Sequence, residues 1–73
     1  MKYIEELFMK ANLTEEEKIY FIEDSKNAEI LGYTNIKDYY NSKETQYCIV
    51  EYASEKYKQI AQNGLNKILK TFN

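Results

Sequence analysis

The sequence has no histidine, no proline, no tryptophan and, among its ten cations, no arginine. It has one cysteine and two glycines. Each absence removes a class of chemistry. Without histidine there is no Ser–His or Cys–His pair to activate a nucleophile. Cys48 stands alone, so it forms neither an intrachain disulfide nor a thiolate cluster. Tyr47 and Ile49 flank it, where a reactive thiolate would have a cation. No glycine-rich phosphate loop is present. The expectation is a chain without catalytic residues, metal or cofactor, in a reducing compartment. No apolar run approaches the roughly 18 residues of a membrane span. Glu5 and Glu6 stand where a signal peptide would carry its apolar run, so the expected location is the cytoplasm. With no proline, and only Gly32 and Gly64 as breakers, the sequence favours helices over strands.

What is present is lysine, tyrosine, isoleucine, asparagine and acid. A chain of 73 residues is enough for one domain, residues 1–73, and its core is marginal. Residues 1–31 hold four Lys against eight acids, whereas residues 32–73 hold six Lys against four. That asymmetry suits helix dipoles, and it also suits attraction between the halves or between two copies.

The periodicity predicts an all-α bundle of four or five helices with a long C-terminal helix. The first spans about 2–11, with Tyr3, Ile4, Leu7, Phe8 and Ala11 on one arc. The second starts at the capping box Thr14-Glu15-Glu16-Glu17. It carries two stripes: Phe21, Ser25 and Ala28 on one side, Ile19, Ile22 and Ile30 on another. Either it is buried on both sides or it breaks near Ser25–Asn27. Gly32 fits the left-handed position after its end, and Asn35 and Ser42 fit the N-caps of the next two helices. Tyr47, Val50, Ser54, Tyr57, Ala61, Leu65, Ile68 and Phe72 then recur at three- and four-residue steps. They predict one helix of about 30 residues, near ~45 Å long, with Asn63-Gly64 as the alternative end that would leave a fifth helix. The alternative fold is a small α+β domain pairing 18–23 with 46–52, since Tyr47-Cys48-Ile49-Val50 also alternates as a strand.

Ala28, followed four residues later by Gly32 and then Tyr33-Thr34-Asn35, resembles the Gly-Tyr-Ser-Asn turn of AraC-type regulators, with Tyr39 at that family's aromatic position. The resemblance covers Ala28–Tyr40. It implies a helix-turn-helix DNA-binding regulator with Asn35–Ser42 as the recognition helix. Against it, Asn27 occupies an apolar position of the motif, and the helix offers Lys37 and Lys43 against Asp38 and Glu44. Arginine is absent and the pI is near 5.1. Nucleic acid is not the expected partner.

Eight tyrosines exceed what so small a core hides, because a buried hydroxyl needs a partner, and tyrosine is a frequent interface residue. The adjacent Tyr39 and Tyr40 are not expected to face one core. The outer face of the long helix would present Ile49 and Tyr52 with Lys56, Lys67 and Lys70 around them. Those seven residues form the expected protein-binding surface. The function expected is binding without catalysis, to a larger protein. Phage or mobile-element inhibitors of host defence, anti-CRISPR proteins among them, share this size and composition. A structural homodimer is the remaining alternative.

Overall fold

A computed structural model describes residues 3–73. It is all-helical: α1 (Ile4–Lys10), α2 (Glu15–Ile30), α3 (Ile36–Asn41), α4 (Lys43–Glu51) and α5 (Lys58–Thr71). No strand forms among the described residues, so the pairing of 18–23 with 46–52 is not supported; both segments are helical.

Local chemistry sets most of the boundaries. Thr14 Oγ1 accepts from the Glu17 N–H at 3.2 Å, and Glu17 Oε1 accepts from the Thr14 N–H at 2.9 Å, completing the capping box of α2. Asn35 accepts from the Lys37 N–H at 2.8 Å and Ser42 from the Thr45 N–H at 3.3 Å, starting α3 and α4. Gly32, at φ +85°, ends α2. The Tyr33 N–H reaches back to the Ala28 carbonyl and the Gly32 N–H to Glu29, so the last carbonyls are satisfied. The end of α1 repeats this closure with a different residue. Asn12 takes φ +56°, and the Leu13 N–H bonds to the Phe8 carbonyl. Helix α1 begins at Ile4, and Tyr3 is exposed rather than part of the buried arc.

The expected single helix over residues 42–72 is interrupted. Residues 52–57 form a bend and a turn, held by a Tyr57 N–H bond to the Ser54 carbonyl. The longest extent of the molecule is 30 Å, and an unbroken helix of ~45 Å would outreach it. Breaking lets α5 fold back, mainly onto α2. Gly64 lies inside α5, not at its end. The interruption also resets the register. Ala61, Leu65 and Ile68 face inward as expected, while on α4 the buried residues are Thr45 and Ile49, and Tyr47 is 61 % exposed.

The core gathers Leu7, Phe8, Leu13, Phe21, Tyr39, Tyr40, Ile49, Leu65 and Ile68. Phe21 is its hub. Edge-to-face contacts join it to Phe8 at 6.5 Å, Tyr20 at 5.1 Å and Tyr40 at 5.9 Å between ring centroids. Tyr40 continues to Tyr39, and Tyr39 to Tyr33. One aromatic chain therefore runs from the centre of the bundle to the surface.

Candidate protein-binding surface

The seven residues expected on a binding surface do not come together. Tyr39 and Tyr40 are 3 % and 0 % exposed, and Ile49 is buried. These three are core, which corrects the sequence expectation. Adjacent residues on a helix point about 100° apart, and that separated Tyr39 from Tyr40 on a two-sided helix. The short α3 touches α2, α4 and α5, so both directions are covered. Ile49 faces inward because the break after α4 reverses which face of that helix is internal. Lys67 is a structural residue: its Nζ lies 2.7 Å from Glu17 Oε1, bridging α5 to the first turn of α2. Lys56 lies over the Tyr57 ring at 5.4 Å, and Lys70 is exposed in the last turn of α5. Tyr52 alone keeps the expected role of an exposed aromatic, at 77 % exposure.

A different surface is built around α2. A cleft of about 710 Å³ opens between the C-terminal half of α2, the Gly32–Tyr33 turn and α4. A second of about 640 Å³ lies between α2 and the start of α5. Tyr20, Asp24 and Asn27 line both, so the two adjoin along α2. The α2 residues involved are Glu16, Ile19, Tyr20, Glu23, Asp24, Asn27 and Ile30, one helical face beside the buried stripe of Phe21, Ser25 and Ala28. Nine large hydrophobic side chains are exposed among the described residues, and five of them line these clefts: Ile19, Ile30, Leu31, Tyr52 and Tyr57. Exposed apolar side chains scattered singly carry no meaning, whereas a gathered set marks an interaction surface. The signal was legible in part as the second stripe of Ile19, Ile22 and Ile30 on α2: Ile19 and Ile30 line the clefts, while Ile22 is exposed and lines neither. Helix α2 neither breaks nor is buried on both sides; that stripe meets solvent.

Asp24 lines both clefts. Its carboxylate accepts from the Tyr39 hydroxyl at 3.2 Å. The fully buried Tyr40 hydroxyl approaches the same carboxylate but has no partner at hydrogen-bond geometry, so that contact is electrostatic. Burial raises the Asp24 carboxyl above the usual aspartate range, and its neighbours Tyr40, Tyr39 and Asn27 offset that only in part. Burial first, and then the Asp24 charge, push the Tyr39 and Tyr40 hydroxyls far above the ordinary tyrosine value. Cys48 is half-buried on the cleft wall. No group of three or more His, Cys, Asp or Glu among the described residues could hold a metal ion, and no helix among them is long and apolar enough to cross a membrane.

No protein-family model, curated protein or solved structure matches the chain.

Proposed function

We propose that this protein is a non-catalytic interaction protein that covers a surface on a larger protein, and that it docks through the α2 face and the cleft bounded by α4. The observation that carries this reading is the gathering of Ile19, Ile30, Leu31, Tyr52 and Tyr57 along two adjoining clefts, on a chain whose core lies on the neighbouring face of α2. The inventory of side chains supports the non-catalytic part, since histidine is absent and Cys48 lies among Tyr47, Ile49 and the cleft wall. The class we propose is that of phage and mobile-element inhibitors of host defence, anti-CRISPR proteins among them, on size and composition alone.

The helix-turn-helix reading has weaker support. The segment that would read DNA is six residues long and buries Tyr39 and Tyr40, and its Lys37 lies over the Phe72 ring at 5.8 Å. A recognition helix needs its exposed side chains free for base edges.

Site-specific photo-crosslinking tests the proposal. A benzophenone side chain in place of Tyr52, in cells that express the protein, is expected to give a discrete covalent adduct with another protein. The same group in place of Met9, exposed on α1 away from the cleft, is expected to give none. Equal adducts at both positions, or an adduct from Met9 alone, would refute the surface.

A further inference from the structure

The clefts have a sign. Glu44 and Asp24 line the first, and Glu16, Glu23 and Asp24 the second; no lysine among the described residues lines either. Among the described residues, Glu23 is the one of these four carboxylates with an ion-pair partner, Lys26 at 3.0 Å. Outside the clefts, Glu17 is bridged by Lys67 and Glu15 by Lys18. Asp24, half-buried, has tyrosine hydroxyls around it and no cation among the described residues. Tyr20 and Tyr52 line the same cleft as Asp24. An uncompensated carboxylate among aromatic rings is the arrangement that binds a guanidinium or an ammonium, by a charge-assisted hydrogen bond and by attraction to the ring face.

We infer that the occupant of the cleft is an arginine- or lysine-bearing segment of the partner protein, with its cation at Asp24 beside Tyr20 and Tyr52 and its apolar side chains over Ile30 and Leu31. This rests on the protein-binding reading above and adds the partner's chemistry. The apolar rim supplies contact area, while the acidic lining selects a basic segment over an acidic one and steers its approach. A cation at Asp24 also relieves the cost of keeping that carboxylate charged under the protein surface, an advantage an uncharged segment lacks.

The test is a titration of isotope-labelled protein, followed by backbone amide shifts, with the peptide acetyl-Leu-Arg-Ile-Lys-Leu-Arg-Ile-Lys-amide. The comparison peptide has citrulline for arginine and glutamine for lysine, which keeps shape and removes charge. The basic peptide is expected to shift Tyr20, Asp24, Asn27, Cys48 and Tyr52. It should bind about tenfold or more tightly than its neutral counterpart, and the difference should shrink as salt is added. Asp24→Asn, which keeps the size of the side chain and an acceptor for Tyr39, should remove most of that preference. Tyr52→Ala, at an exposed position that cannot unfold the bundle, should weaken the basic peptide at the same site. Equal binding of the two peptides at the cleft would overturn the cationic partner while leaving the docking surface standing. Absence of shifts at the cleft, or shifts confined to another face, would overturn the inference, and the crosslink from Tyr52 would then decide the broader reading by itself.

Discussion

The ring of Phe21 occupies the space where a side chain on Gly64 would be. A Cβ built on Gly64 overlaps Phe21 Cε2 and lies 3.0 Å from Cδ2. Phe21 is fully buried and held by three other rings, so it has nowhere to go. Glycine within a helix costs about 1 kcal/mol relative to alanine, and here that local cost is accepted for close packing of α5 on α2. Gly64→Ala is therefore expected to destabilise the protein by about 1–3 kcal/mol, despite its better helix propensity. Chemical denaturation checks the sign; a more stable variant would show that Phe21 can yield.

Glu17 works twice, in the capping box of α2 and in the bridge to Lys67, and both contacts end on Oε1. Burial alone would raise its pKa, but Lys67 and Thr14 outweigh it and the carboxyl sits below the usual glutamate range. A depressed carboxyl contributes stability above its unfolded pKa and loses it as pH falls through the folded value. Thr14→Ala is expected to cost about 1 kcal/mol. Lys67→Met is expected to cost about 1–3 kcal/mol at neutral pH by leaving a buried carboxylate short of a partner. That deficit should narrow on acidification below the ordinary glutamate pKa, measured as thermal midpoints across the acid range.

Asp24 carries the opposite sign. Its pKa is raised in the fold, mainly by burial. The folded state therefore holds the proton more tightly, and stability falls as pH rises from the usual aspartate range through the raised value. The groups around it, Tyr20, Tyr39, Tyr40 and Asn27, include no cation to reverse this. Asp24→Asn is expected to gain stability relative to the wild type as pH goes from acid to neutral. Parallel pH profiles for the two proteins would contradict the placement of Asp24.

Core and surface on α4 separate cleanly by substitution. Ile49→Ala is expected to cost about 2–5 kcal/mol, because Ile49 is core. Tyr52→Ala is expected to stay within about 0.5 kcal/mol, because Tyr52 meets solvent. Equal losses in a denaturation series would put both residues in one environment.

The caps were legible in the sequence because each is a local event. Thr14, Gly32, Asn35 and Ser42 announce helix ends through their own side chains or their own backbone freedom, and all four act as their sequence context predicts. Asn12 was the local signal overlooked; asparagine tolerates the left-handed conformation that usually goes to glycine. The break between α4 and α5 was not legible, because Tyr52–Tyr57 contains no proline or glycine and Tyr57, the residue before α5, makes no side-chain cap. The cause is global, the need to fold a long helix back across a small core. Once that break was missed, the inside and outside of α4 exchanged places, and Ile49 was assigned to the surface. The second apolar stripe of α2 was visible, but a single sequence does not say which of two stripes the rest of the chain will cover.

The most direct measurement is a pairing of partner affinity with thermal midpoint for Leu31→Asp and Met9→Asp, using the partner captured by the Tyr52 crosslink. Leu31 lines the cleft and Met9 lies on α1, and both are exposed, so neither change should unfold the bundle. The account predicts that Leu31→Asp weakens binding by about tenfold or more with its midpoint unchanged, while Met9→Asp binds as the wild type does. Wild-type affinity in Leu31→Asp, or a loss in Met9→Asp alone, would contradict it.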